Sequence, residues 1–168
     1  MIRYLQDLDT RTFLSFFQSQ YQVTLTQLAL LVSASANGWC YAILVPLCIL
    51  LRPEQARELL TLALLAFGAE RTLYFVLKNT VRRRRPPAAI AGIQSLIRAA
   101  DEFSLPSGHT SAAFLFVTLL CLGLSPVFAP LYLWAVAVGL SRVVLGVHFF
   151  TDVFMGAVLG TTIALFFF

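Results

Sequence analysis

The chain has 168 residues, of which 59% are hydrophobic and only 12% charged, with a formal net charge of +4. A soluble globule carries about twice that charged fraction, and here the apolar residues run in long stretches, which excludes a soluble domain and indicates one integral membrane domain over 1–168. The three cysteines (Cys40, Cys48, Cys121) lie inside apolar runs without CxxC spacing, so neither a disulfide framework nor a zinc site is supported.

Residues 4–18 place Tyr4, Leu5, Leu8, Thr12 and Phe16 near one helical face, with Asp7, Asp9 and Arg11 away from it. That pattern predicts an amphipathic helix within 1–22 lying at the membrane surface, not a cleavable signal, because no continuous apolar core is present. Residues 25–51 are apolar except for SASANG (33–38), and read either as one long tilted span or as a surface helix, a turn near Asn37-Gly38 and then a span. LRPEQARE (51–58) is a polar turn whose Pro53 suits the first turn of the helix predicted over 54–78. Residues 79–106 form the long polar segment, with a small amphipathic lip at IQSLIRAA (93–100). Further spans are predicted over 107–123, 126–146 and 149–168, each close to the ~20 residues that a bilayer requires. The expected fold is an all-α bundle of about five transmembrane helices plus the N-terminal amphipathic helix, with no repeat and no soluble domain.

Because successive spans alternate direction, one membrane face collects Lys78 to Pro87, Pro106 to His109 and Ser141 to Asp152. Both histidines lie on that face, with Lys78, Arg82, Arg83, Arg84, Arg85 and Arg142, and with Arg98 in the lip. Alone, KNTVRRRRPP suits a juxtamembrane cluster that sets topology or attracts anionic lipid. Ser107 after Pro106 suits an N-cap. The same helix start offers free N–H groups and partial positive charge to a phosphate, and Gly108 allows close approach. His148 and Asp152 are four apart, and on a helix they share a face. The carboxylate then orients one imidazole nitrogen and leaves the other as an outward lone pair, the wiring of a nucleophile or base. A self-satisfied His–Asp pair is the structural alternative. Jointly the pieces are more specific. Lys78, Arg85 and Arg142 supply charge, Ser107 and Gly108 supply donors, His148 with Asp152 supplies a nucleophile, and His109 supplies an acid. Charges at a membrane edge are expensive unless used.

Lys78-x6-Arg85-Pro86, then Pro106-Ser107-Gly108-His109, then Ser141-Arg142-x5-His148-x3-Asp152, resembles the three-part motif of the type 2 phosphatidic acid phosphatase family, in its membrane-bound lipid phosphatase branch. The resemblance covers 78–152, and residues 1–77 carry no family motif. About five spans and a short lip stand where a six-span body is common in the family. The resemblance implies that His148 attacks phosphorus to form a phosphohistidine and that Asp152 holds its tautomer. Lys78, Arg85 and Arg142 would neutralise the phosphoryl oxygens, with Ser107 and the Gly108 N–H completing the cradle. His109 would protonate the leaving oxygen and later deprotonate water. No metal or other cofactor is implied. The implied substrate is a lipid phosphate or diphosphate, such as a polyprenyl diphosphate, phosphatidic acid, phosphatidylglycerol phosphate or a lipid A type glycolipid. The bilayer is the other partner; nucleic acid is not one, and the sequence does not set an oligomeric state. Positive-inside counting places the arginine-rich face in the cytoplasm. The resemblance places it on the periplasmic side of a bacterial inner membrane, the reading favoured here.

The remaining ionisable residues take duller roles. Arg82, Arg83 and Arg84 are assigned to anionic headgroups at the surface, and Asp101 and Glu102 to the loop. Arg71, seven before Lys78, either reaches the pocket floor or, the favoured reading, pairs with a neighbouring helix; Glu70 precedes it. The rival functions are a vanadate-dependent haloperoxidase-like oxidoreductase, a non-catalytic anionic-lipid-binding membrane protein, and a transporter.

Overall fold

The computed structural model describes residues 2–17 and 22–168. Met1 and residues 18–21, part of the expected 1–22 helix, lie outside the described residues. In chain order the helices are α1 (Ile2–Phe17), α2 (Gln22–Ser35), a 3-10 segment (Gly38–Ile43), α3 (Leu44–Leu51), α4 (Ala56–Val81), the short α5 (Pro86–Ala89), α6 (Gly108–Gly123), a 3-10 turn (Pro126–Phe128), α7 (Leu131–Val144) and α8 (Phe150–Phe167). Among the described residues no strand forms, and Arg84 meets Phe103 in an isolated antiparallel bridge.

Three helical stretches are long and apolar enough to cross a membrane: Ala56–Val81, Pro126–Val144 and Phe150–Phe167. A fourth arises if Leu25–Ser35 and Gly38–Leu51 act as one span, and these two are bent by 48° at a break that falls at Asn37. The structure therefore combines the two sequence readings of 25–51: apolar throughout, but broken where Asn37-Gly38 interrupts the run. α6 is apolar but has only 16 residues. Large apolar side chains such as Leu64, Leu133, Phe154 and Phe166 are more than half exposed on α4, α7 and α8. An apolar surface that extensive suits lipid rather than water.

α6 is the most enclosed helix, with Ala113, Leu115 and Val117 fully buried. It lies against α8 with little side chain between. A Cβ on Gly156 would sit 2.6 Å from the Ser107 carbonyl oxygen, and one on Gly160 would sit 2.1 Å from that of Ser111. Small residues permit such backbone contact between helices in a membrane. The Ser107 N–H also donates to the Asp152 carbonyl at 2.9 Å, which ties the start of α6 to the start of α8.

Two segments near the site gain detail from their packing. α1 is helical, and it buries Asp9, Phe13 and Phe17 while Leu8 is 51% exposed, so its inward face is the one opposite the Leu8–Thr12 stripe. Aromatic packing decides this: Phe13 stacks on Phe17 with ring centroids 5.1 Å apart and meets the edge of Phe149 at 5.5 Å. The lip at 93–100 is an irregular segment. Its residues alternate in exposure, with Ile93, Ser95, Ile97 and Ala99 half-buried. Ile93 packs beside Val143 and Phe149, and Ile97 and Ala99 beside Val144 and Leu145. The Leu96 N–H donates to the Leu145 carbonyl at 3.0 Å, pinning this strap across the end of α7.

Candidate active site

α4 ends where Arg82 adopts a left-handed conformation (φ 49°), so Lys78 occupies its last turn. α7 ends in a tight turn in which Gly146 takes φ +73°, a region L side chains rarely enter. The Arg142 carbonyl accepts from the N–H groups of Val147 (3.1 Å) and His148 (3.3 Å). That turn explains the Arg142-x5-His148 spacing: it folds the nucleophile candidate back over the cation that precedes it.

The three segments converge. Arg85, Gly108, His109, Arg142 and His148 line one cavity of about 530 Å³. Lys78, Ser107 and Asp152 are buried around it. His148 is 2% exposed. Its Nε2 lies 3.3 Å from Arg85 Nη1, and a guanidinium can only donate. Nε2 is therefore the lone-pair nitrogen and Nδ1 carries the proton. Nδ1 faces Asp152 Oδ2 at 3.6 Å, beyond a hydrogen bond, and has no nearer partner. Burial, reinforced by the Arg85 and Arg142 charges against the pull of Asp152, pushes the His148 imidazole down to about 4.

The expected helical i,i+4 geometry of this pair is corrected. His148 precedes the helix: Phe149 is the N-cap of α8 and Asp152 sits in its first turn. Asp152 Oδ2 accepts from the Phe149 N–H at 2.8 Å, as an acid in a first turn does. The carboxylate thus caps its own helix on the edge that faces the imidazole.

Arg142 donates to Ser33 Oγ at 2.5 Å, and its Nε is buried without a partner. His109 Nε2 donates to Asn37 Oδ1 at 3.2 Å, so the break in the first apolar segment places an amide against this imidazole. Ser107 stands at the N-cap position of α6, but its side chain makes no capping bond. It is fully buried, and its Oγ accepts from Thr110 Oγ1 at 2.9 Å.

Three residues that the sequence placed elsewhere belong to this region. Asp101, assigned to the loop, stands between the first-motif cations. Its Oδ1 accepts from Lys78 Nζ at 2.7 Å and from Arg85 Nη2, its Oδ2 accepts from Tyr74 OH at 2.5 Å, and its carbonyl accepts from Arg85 Nε at 3.0 Å. Burial alone would raise this carboxyl, but the bonds from Lys78, Tyr74 and Arg85 prevail and hold it at about 2. Arg83, assigned to surface headgroups, instead bridges Asp9 Oδ2 (2.6 Å) and Asp152 Oδ1 (2.7 Å). Arg71 lines the cavity, and it pairs with its own neighbour Glu70 at 2.6 Å rather than with another helix. The Asp101 and Arg83 pairings join residues far apart in sequence. The nearest available signal was the presence of charges inside an apolar span and of arginines beyond those the motif uses.

Comparison with known proteins agrees with this geometry. Residues 58–168, which hold all three motif segments, match the PAP2 superfamily model. Phosphatidylglycerophosphatase B of Bacillus subtilis is 38% identical over 110 residues, 59% of this chain and 51% of that protein, so the matched stretch spans about half of that relative. Decaprenylphosphoryl-5-phosphoribose phosphatase of Mycobacterium tuberculosis is 34% identical over 132 residues, 75% of this chain and 67% of that protein. Two crystal structures superpose with a TM-score of 0.76 at 26% identity. One is a transmembrane PAP2 type phosphatidylglycerolphosphate phosphatase from Bacillus subtilis, covering 98% of this chain and 84% of that one; the other is Aquifex aeolicus LpxE, covering 94% and 92%. With Arg85, Gly108, His109, Arg142 and His148 lining one cavity and the family model spanning all three motif segments, the chain belongs to the PAP2 superfamily.

Proposed function

We propose that this protein is a membrane lipid phosphatase that hydrolyses a lipid phosphate monoester or diphosphate through a phosphohistidine on His148. The observation that carries the reading is the buried His148, which lines a cavity with Arg85, Arg142 and His109, its Nε2 beside Arg85 and its Nδ1 toward Asp152. Nε2 attacks phosphorus, and the bond to the leaving oxygen breaks with its electron pair on that oxygen. Protonated His109 gives the oxygen its proton. Asp152 offsets the charge that appears on the His148 ring. Water then attacks, passes a proton to His109, and the P–N pair returns to Nε2 as inorganic phosphate departs. Lys78, Arg85 and Arg142 stabilise the equatorial oxygens, where most catalysis of phosphoryl transfer originates. The Gly108 N–H at the start of α6 adds a short-range donor, and Ser107 completes the cradle. No step is assigned to a metal.

The substrate's tails stay in the bilayer, as the exposed apolar faces of about five spans suggest, with α6 counted among them and α1 at the interface. The relatives' names point to phosphatidylglycerol phosphate, decaprenylphosphoryl phosphoribose and related lipids as the first panel. The cup is assigned to the periplasmic face of a bacterial inner membrane. The test is phosphate release from that panel, with and without EDTA, by the wild type and His148→Ala. Release that survives EDTA and an acid-labile phosphoenzyme absent from His148→Ala are expected. More than a few per cent of the wild-type rate in His148→Ala removes His148 from the nucleophile role.

A further inference from the structure

Outside the motif positions, the most tightly knit cluster of charges lies behind Asp152. Asp9 on α1 is almost fully buried, with a side-chain exposure of 2%, and that of Asp152 is 0%. Two carboxylates at such depth are costly unless a shared cation compensates them. Arg83 is that cation. Its Nη2 donates to Asp9 Oδ2 at 2.6 Å, its Nη1 donates to Asp152 Oδ1 at 2.7 Å and to Thr151 Oγ1, and its guanidinium carbon sits 4.3 Å from the centre of the Phe149 ring. Thr151 closes the ring of contacts: its hydroxyl donates to Asp9 Oδ2 at 2.5 Å and its N–H to Asp9 Oδ1 at 3.3 Å.

Each oxygen of Asp152 thus has a separate task. Oδ1 takes Arg83, which leaves Oδ2 held by the Phe149 N–H and turned toward His148 Nδ1. Planar guanidinium geometry suits such a two-carboxylate bridge, and an ammonium does not. Asp9 lies outside residues 58–168 that match the superfamily, so the α1 end of this relay lies beyond the matched segment.

We propose that Arg83 and Asp9 are positioning residues for the reaction: through Asp152 they set the orientation of the His148 nucleophile, and they make α1 part of the catalytic apparatus. The inference rests on the reading of His148 as nucleophile. Arg83 does not line the cavity and shares no bonding partner with Lys78, Arg85 or Arg142, so the phosphate cradle survives its loss.

The experiment compares wild type, Arg83→Ala, Arg83→Lys, Asp9→Asn and His148→Ala in detergent, using a lipid phosphate turned over by the wild type. Binding of vanadate as a phosphate mimic counts intact sites and probes the cradle. Arg83→Ala is expected to lose roughly 10–100-fold in kcat per vanadate-binding site, the scale of a misaligned reacting group. KM and vanadate affinity should stay within about twofold, a small change in free energy. Arg83→Lys and Asp9→Asn should lose less kcat, with the same split. A purely structural anchor would lower the number of sites or the Tm and leave kcat per site unchanged. Wild-type kcat per site in Arg83→Ala, or loss of vanadate affinity in parallel with kcat, overturns the inference. If Arg83→Ala yields no folded protein, wild-type kcat in both milder variants overturns it instead. Turnover by His148→Ala would strike the functional reading itself, independently of the Arg83 result.

Discussion

Asp101 offers the sharpest test of how the phosphate cup works. Its carboxylate takes bonds from Lys78, Arg85 and Tyr74, and two of those donors are motif cations assigned to the substrate. A phosphate that engages Lys78 and Arg85 must displace it. Its fall from the ordinary 3.8 to about 2 corresponds to about 2 kcal/mol of net attraction. The side chain is 31% exposed, so solvent screening reduces this to about 1–2 kcal/mol. Asp101→Asn should therefore bind inorganic phosphate or vanadate roughly 5–30-fold more tightly. The assay is competitive inhibition of lipid phosphate hydrolysis, with product release followed separately, because tighter phosphate slows the last step and lowers kcat as Ki falls. Asp101→Ala should move Ki the same way. If both variants fold and both bind phosphate more weakly, Asp101 is a strut that orients Lys78 and Arg85, and the displacement argument is wrong.

Other outcomes follow from the same geometry. Because His148 sits near 4 rather than 6.5, it stays neutral and nucleophilic as pH falls through 6, so its acid limb in kcat/KM should lie near pH 4. The same depression means the unfolded chain takes up a proton between about 6.5 and 4 that the folded chain refuses. Thermal stability should therefore decline with falling pH in that window and not rise. Gly160→Ala puts a methyl group 2.1 Å from the Ser111 carbonyl oxygen and 2.8 Å from the Leu115 nitrogen, backbone on both counts. Forcing α6 and α8 apart should cost about 1–3 kcal/mol and several degrees of Tm, and reduce activity by shifting Ser107 from Asp152. Gly68→Ala, where a methyl group meets nothing within 4 Å, should leave activity intact and hold or raise Tm. Asn37→Ala removes the acceptor at His109, and should slow substrates with poor leaving groups more than those with good ones; equal slowing would detach Asn37 from proton transfer.

The legible parts of this protein were those encoded by local pattern. Apolar run length marked the helices, and motif spacing marked Arg85, His109, Arg142 and His148, which line one cavity, because turns such as that at Gly146 are short-range features. Less legible were side chains that choose partners across the fold. Asp101 lies 23 residues from Lys78, Arg83 lies 74 from Asp9, and Arg142 lies 109 from Ser33. The inward face of α1 was left unassigned for the same reason. A buried aspartate looks solvent-facing until the arginine that compensates it is in place.

Charge balance ties these hidden pairings to the chemistry. In a greasy chain, a cup of cations waiting for phosphate carries a standing cost, because each ion has left water. Apart from Arg142, which rests on the Ser33 hydroxyl, each is offset from within the chain. Asp101 serves Lys78 and Arg85, Asp9 and Asp152 share Arg83, and Glu70 holds Arg71. The offsets differ in exposure. The carboxylates at Arg83 are sealed, whereas Asp101 is partly open and borne on the loop that continues from the strap. Only the second kind can exchange with a ligand without unpacking a helix. On the proposed mechanism Asp101 would yield to substrate phosphate and return as product leaves, while the Arg83 bridge would keep Asp152 and His148 in register through both steps.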